Sequence, residues 1–447
     1  MAHNAPLPKW SVQMVSIGAE DADILGRVPP SLRALNGIPE PEQTDARERA
    51  VALASEALAD LLLPGGVRVS PLGPGWSRDI DLHLRNWPES ARLEALGWLP
   101  LDALLRRLRT PGRGSWAVAE NGRILAGLDL HLGPPPDPLA SLLSRCRRRG
   151  EVRVREVLEA RALLRAGYTL PGDDPIIRLA ARVEAGLGGR ALAPWKDGPP
   201  LGAPGLLPGR QIRRRLAASR SRLRPRLVVA VSGVDGSGKS TLIELIMRNL
   251  EQAGIPVGRV WARPGGTMPQ LLSGLASGVK KLLGQEPSWA SSRTASGASA
   301  GELTSRRGIV GWTWTMLVTL SFLLHVQRQH LTGRGVLLYD RHLLDALVHL
   351  EFVYKGVDLG LHRAVVRRAM PKPALSVYLD VPAEVAMIRS SLRTEEPGDV
   401  YSEEYAVRRQ LESYEANRGE VEGLRRLDGT RPADELAAVV TRWIAGL

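Results

Sequence analysis

The amino-acid sequence predicts an α/β protein: a C-terminal domain with a parallel sheet and flanking helices, preceded by a smaller α+β domain. Three observations predict it. The apolar run Leu227-Val228-Val229-Ala230-Val231 leads into Gly233-Val234-Asp235-Gly236-Ser237-Gly238-Lys239-Ser240-Thr241 and then into helical spacing. Beyond that loop, apolar strand candidates alternate with helical stretches, the pattern of a parallel sheet covered on both faces. Upstream, Arg78–Leu84 alternates polar with apolar, and an Asn-Gly pair joins two further apolar runs, the marks of half-buried strands and a hairpin.

At 447 residues the chain exceeds one compact core. The expected division is a domain over 1–200 with a helical extension, a linker over 201–223, and a second domain over 224–447. The formal net charge is +13 and the pI about 10.4. Only seven of the basic residues are lysine, so the excess of arginine reads as compositional bias, and a nucleic-acid partner is not expected from it. Cys146 is the single cysteine, which excludes an internal disulfide and a cysteine-based zinc site and fits a cytoplasmic protein. The first twenty residues hold no apolar core of signal-peptide type.

In the N-terminal half, Arg78-Asp79-Ile80-Asp81-Leu82-His83-Leu84 places Asp79, Asp81 and His83 on one strand face and the aliphatic residues on the other. Trp116–Leu125 carries Asn121-Gly122 between apolar runs, a hairpin signal, and its second strand continues into Leu128-Asp129-Leu130-His131-Leu132. If the two Asp-Leu-His-Leu strands are neighbours, Asp79, Asp81 and Asp129 converge, and such a cluster calls for a divalent cation to neutralise it. A solvated acidic strand face is the plainer alternative. Glu156 to Gly167 has helical spacing and belongs to an appended helical subdomain over 139–185.

Gly186 to Arg210 is dense in Gly and Pro and reads as a linker, followed by eight arginines from Arg210 to Arg226. That run is a solvated basic segment, or a surface for anionic lipid or nucleic acid. In the loop at 233–241, glycines turn successive N–H groups inward around phosphate oxygens, Lys239 reaches the terminal phosphates, and the Ser240 hydroxyl ligates Mg²⁺. Strands are expected at 257–261, 335–339 and 375–379, with helices at 312–332, 342–369, 383–392 and 402–416, and a mobile insertion over 283–308. The uncharged stretch 308–327 suits either a membrane span or a buried helix of the nucleotide-binding domain, and its threonines, serine and histidine favour the second. Strand-end Asp340 can hold the Mg²⁺ shell or accept a hydroxyl proton, and Arg341 can clamp an acceptor phosphate. Arg389 and Arg393, before the polar segment Thr394–Asp399, suit a closing lid that brings positive charge to a transferring phosphoryl group.

Residues 224–447 resemble the thymidylate kinase family of P-loop nucleotide kinases. The resemblance rests on the loop with its acidic Asp235, on Arg263-Pro264-Gly265-Gly266-Thr267, on Asp340-Arg341, on Pro373–Pro382 and on Asp428-Gly429-Thr430-Arg431-Pro432. It implies transfer of the γ-phosphate of ATP, with Mg²⁺, to a small-molecule acceptor such as a nucleoside monophosphate or another phosphorylated or hydroxylated metabolite. Gly236 stands where some members carry a catalytic arginine, which implies that Arg389 or Arg393 takes that role. His342, Leu343 and Leu344 stand where the family has an aromatic and a serine, a departure that bears on the acceptor. Over residues 50–135 the D-x-D strand with a third aspartate resembles the polymerase-β-type nucleotidyltransferase superfamily, whose Gly-Ser and following helix are replaced here by Gly73–Arg78.

Three readings follow: an ATP-dependent kinase with a nucleotidyltransferase-like domain, a bifunctional nucleotidyltransferase/kinase of a specialised or sugar pathway, and a nucleotide-gated regulatory module without turnover. The first is preferred. A homodimer is compatible with it; peripheral membrane contact through the arginine run is the less favoured arrangement.

Overall fold

The computed structural model describes residues 41–70, 79–108, 114–149, 154–168, 226–262, 309–354, 357–391 and 400–447. The expectations placed on 71–78, on the linker and arginines before Arg226, on 263–308 and on 392–399, Arg393 included, lie outside the described residues. The chain divides, in its main part, at residue 220 into two compact units, and its described strands form two five-stranded sheets.

Before residue 170 the elements are α1 (Pro41–Ala57), β1 (Leu62–Arg68), β2 (Asp79–Leu84), α2 (Ser90–Ala95), β3 (Leu99–Pro100), α3 (Asp102–Arg107), β4 (Ser115–Glu120), β5 (Arg123–Leu132), α4 (Pro138–Arg149) and α5 (Val154–Arg165). The mixed sheet has the order β1-β2-β5-β4-β3, with only β2 and β5 parallel to each other. Its hairpin turns at Asn121 (φ 52°) and Gly122 (φ 79°), the two left-handed residues that give a tight turn the twist of its strands. Ile80, Leu82 and Leu84 of β2 and Leu128 and Leu130 of β5 are buried in one core with Ala50 and Ala54 of α1. That leaves the opposite face of β2 and β5 to Asp81, His83, Asp129 and His131. The sequence reading lacks β1, because its Pro64-Gly65-Gly66 reads as a turn. In the fold the pairing of β1 with β2 shifts register between Leu62 and Val67, and a Cβ on Gly66 would lie 2.5 Å from the His83 carbonyl oxygen.

From residue 226 the elements are β6 (Arg226–Ser232), α6 (Lys239–Gln252), β7 (Val257–Trp261), α7 (Ile309–Thr332), β8 (Gly335–Asp340), α8 (Leu343–Val353), α9 (Gly360–Ala369), β9 (Leu375–Asp380), α10 (Ala383–Ser391), α11 (Val400–Asn417), a 3₁₀ turn, β10 (Leu424–Asp428) and α12 (Ala433–Ala445). The sheet is entirely parallel, in the order β10-β9-β6-β8-β7, and helices flank it. Strand β6, buried along almost its whole length, sits between β8 and β9. The chain leaves it first toward β7 and β8 and later returns on its other side, so the segment after β6 opens at the topological switch point, where such sheets bind ligands.

Helix α7 buries Phe322, Leu323 and Val326 against Leu337, Tyr339, Leu350 and Val366. Thr315 and Thr319 satisfy their hydroxyls on the carbonyls four residues back. Among the described residues, no helix is long and apolar enough to cross a membrane. Two expectations need correction. The single helix at 342–369 is two, α8 and α9, and Asp358 accepts the Gly360 N–H at the start of the second. Arg226, expected in a basic surface run, is the first residue of β6, and its guanidinium donates to the Gly333 and Leu331 carbonyls at the end of α7.

Candidate functional site

The loop between β6 and α6 has backbone that only glycine adopts freely. Gly236 has φ 83°, and a Cβ there would meet the Ala386 carbonyl oxygen of α10 at 2.2 Å. A Cβ on Gly233 would lie 2.7 Å from the Leu379 carbonyl oxygen and 2.9 Å from Ser237 Oγ. The loop is thus packed directly against β9 and α10. Lys239, the first residue of α6, is buried with Nζ donating to the carbonyls of Gly233 (2.7 Å) and Val234 (2.6 Å). Ser237 Oγ stands 3.5 Å and the Asp235 carboxylate 3.9 Å from the same ammonium. Burial, and then the neighbouring Arg341, pull the Lys239 pKa down to about 8. Thr241 is exposed on the first turn of α6.

The ends of the adjacent strands meet this loop. Asp340, the buried last residue of β8, accepts a hydrogen bond from Ser240 Oγ at 3.3 Å. It also pairs with the Arg259 guanidinium from β7, a neighbour in the sheet. Arg341 has φ 73°, and its N–H donates to the Val231 carbonyl at 3.1 Å. Its guanidinium pairs with Asp235 of the loop. Burial alone would lower the Arg341 pKa, but Asp235 and Asp345 outweigh it and the group is held more firmly charged. Arg389, near the end of α10, donates to the Gly429 carbonyl at 2.8 Å, with Nη1 3.9 Å from where a Gly238 Cβ would stand. Lys239, Ser240, Asp340, Arg341, Asp235 and Arg389 therefore gather at the carboxyl end of one parallel sheet, as the strand ends predicted.

Arg259, Asp345 and Tyr414 belong to this constellation and are missed by reading the sequence. Asp345, on the first turn of α8, accepts the His342 N–H (3.0 Å) and lies 3.4 Å from the Gly233 N–H. The hydroxyl of buried Tyr414, on α11, lies 2.7 Å from Asp345 Oδ1 and 2.9 Å from the Gly233 carbonyl. For Asp345 a signal exists, a carboxylate one helical turn into the segment after Asp340-Arg341. Tyr414 is 181 residues from Gly233, and nothing local marks it.

In the first unit the two Asp-Leu-His-Leu strands are neighbours in direct register, Asp81 beside Asp129 and His83 beside His131. Asp79 pairs with Gly127 one step earlier; its side chain lies outside the described residues. His131 Nε2 donates to Asp81 Oδ1 at 2.9 Å, and this bond raises the His131 pKa. The His83 and His131 rings stack 4.9 Å apart, and His83 Nδ1 donates to the Gly133 carbonyl at 3.2 Å. Burial raises the Asp129 pKa, and the Ser115 hydroxyl, donating to its Oδ1 at 2.5 Å, works against that. Among the described residues no group of three or more His, Cys, Asp or Glu is arranged to hold a metal ion.

No protein-family model matches the chain, and no curated protein matches it either.

Proposed function

We propose that the second unit is an ATP-dependent phosphotransferase that moves the γ-phosphate of ATP to a small acceptor, a nucleoside monophosphate or another phosphorylated or hydroxylated metabolite. The observation that carries this reading is the placement of a buried Lys239 inside a glycine loop, with Ser240 and Asp340 converging beside it at the switch point of a parallel sheet. Loop N–H groups and the start of α6 supply donors for phosphate oxygens. Lys239 stabilises charge on the transferring group. Ser240 and Asp340 fit Mg²⁺, a hydroxyl and a carboxylate 3.3 Å apart, and would hold it; the ion would supply charge neutralisation at the β- and γ-phosphates. Arg259 pairs with Asp340 from the neighbouring strand. Arg341 positions the acceptor, and Arg389, with Arg393 beyond it, brings charge to the transition state. Substitution Lys239→Ala is expected to abolish ATP turnover in an acceptor screen with ATP and Mg²⁺. Wild-type turnover in the folded variant would remove this loop from the chemistry.

The resemblance to thymidylate kinases supports the same reading for residues 224–447, and the register of Asp81 with Asp129 supports a nucleotidyltransferase-like first unit that takes a divalent cation.

A further inference from the structure

We propose that Arg259 is the resident counter-cation of Asp340 and sets how far ATP binding depends on Mg²⁺; this rests on reading Ser240 and Asp340 as the metal ligands of a triphosphate site. Asp340 is a buried carboxylate, and a buried charge needs a partner. Arg259 stands on β7 two residues before Trp261, the register partner of Asp340, so its side chain leaves the sheet on the Asp340 face. Its Nη2 donates to Asp340 Oδ2, the same oxygen that accepts the Ser240 hydroxyl at 3.3 Å. The guanidinium thus lies against the carboxylate oxygen that faces the other metal ligand of this reading. Its second terminal nitrogen, Nη1, is 3.5 Å from Oε1 of exposed Glu244 on α6. Lys239 and Arg341 make their closest contacts elsewhere, with the Gly233 and Val234 carbonyls and with Asp235.

A guanidinium that touches a carboxylate oxygen lies close to any cation that oxygen ligates, and the two repel. If Arg259 keeps its hydrogen bond while Mg²⁺ is bound, the repulsion weakens the ion's hold. If it turns wholly to Glu244, the lost pair with Asp340 is subtracted from what the ion gains. Both routes lower the benefit that Mg²⁺ brings to ATP binding, so the sign of the effect is the same whichever the side chain takes. Without metal the balance reverses. Arg259 then offsets Asp340, and the phosphates of ATP meet less repulsion than a bare carboxylate would give them. A neutral residue at 259 therefore makes the site more dependent on the metal.

The test is equilibrium binding of ATP to the full chain, once in saturating Mg²⁺ and once in EDTA, read as the ratio of the two dissociation constants. In Arg259→Gln the advantage of Mg²⁺ over EDTA grows about tenfold, the scale on which a group beside a metal ligand alters the ion's hold. In Arg259→Lys, which keeps the charge, the ratio stays near that of the wild type. A ratio that is unchanged or smaller in Arg259→Gln, equal losses of ATP affinity under both conditions included, would overturn the proposal and leave Arg259 a structural or phosphate contact. A rise in Arg259→Lys as large as that in Arg259→Gln would overturn it as well. If Arg259→Gln does not fold, Glu244→Gln carries the test by itself. With its outer acceptor gone Arg259 is left wholly to Asp340, so the Mg²⁺ advantage falls; an unchanged or larger advantage there would refute the pairing. A wild-type chain that binds ATP under neither condition would instead overturn the triphosphate reading, and this proposal with it.

Discussion

Replacing Gly236 by alanine tests whether the loop and α10 are one packed unit. At φ 83° an L-residue is strained by about 1–2 kcal/mol. The added Cβ also stands 2.2 Å from the Ala386 carbonyl oxygen. Ordinary contact at that pair needs roughly 1 Å more, and the obstacle is backbone on the first turns of α10. Forcing a methyl into such packing costs about 1–3 kcal/mol. The sum is on the order of 2–5 kcal/mol, read as a fall in the urea midpoint at unchanged slope. Because α10 carries Arg389, whose guanidinium reaches the Gly429 carbonyl beside the loop, the same shift should weaken ATP binding. A Gly236→Ala chain within about 0.5 kcal/mol of wild type, the range of a neutral surface substitution, would refute the packing argument. By the same geometry an arginine at this loop position would be strained in this fold.

ATP affinity should fall as pH rises through about 8, the depressed pKa of Lys239, by roughly tenfold per unit above it, since the neutral amine cannot serve phosphate; a flat profile in titrations of ATP binding would contradict it. Burial holds the His342 imidazole neutral, with its pKa pushed down to about 4. Between the unfolded value near 6.5 and that folded value, only the unfolded chain binds the proton, so stability falls with falling pH, by on the order of 3 kcal/mol across the window. Chemical denaturation of His342→Leu should lack that acid loss, and retention of it would assign the loss elsewhere. Arg389→Ala, combined with loss of Arg393, should lower turnover by about 10³-fold with little change in ATP affinity, and steady-state kinetics without a rate effect would remove both from the transition state. Mg²⁺ or Mn²⁺ should raise the melting temperature of the first unit by linkage, and Asp81→Asn should cancel the increase; an identical shift in that variant would place the cation elsewhere.

The parts of the fold written locally were legible in the sequence. Asn121-Gly122 announces its hairpin because two successive left-handed residues are rare outside tight turns. Strands β6 and β8 are apolar runs, and β9 is one broken by Ser376, because both their faces are covered. The candidate site was legible where a glycine-loop motif and a strand end build it, so Lys239, Ser240, Asp340 and Arg341 could be named. What depends on the order of strands was not. Arg259 reaches Asp340 because β7 lies beside β8, and no periodicity states that order. Strand β1 was hidden because its Pro-Gly-Gly bulge has the composition of a loop. The break between α8 and α9 was hidden because the apolar periodicity resumes across it.

The paired tetrapeptides of the first unit also bear on how that unit finds its fold. Parallel strands of identical sequence, aligned without offset, put acid beside acid and imidazole beside imidazole. A slip of two residues would keep every side chain on its proper face and set Asp81 opposite His131 but Asp79 opposite Asp129, whereas the native register already brings His131 to Asp81 at 2.9 Å across the diagonal. Charge on this face therefore separates the two alignments weakly, and the native one is set by the rest of the sheet: by the Asn-Gly turn that locks β5 to β4, and by the seating of Leu82 and Leu130 under α1. A loosened hairpin would leave this strand pair open to slippage, since neither charge nor the side-chain face would then hold its register.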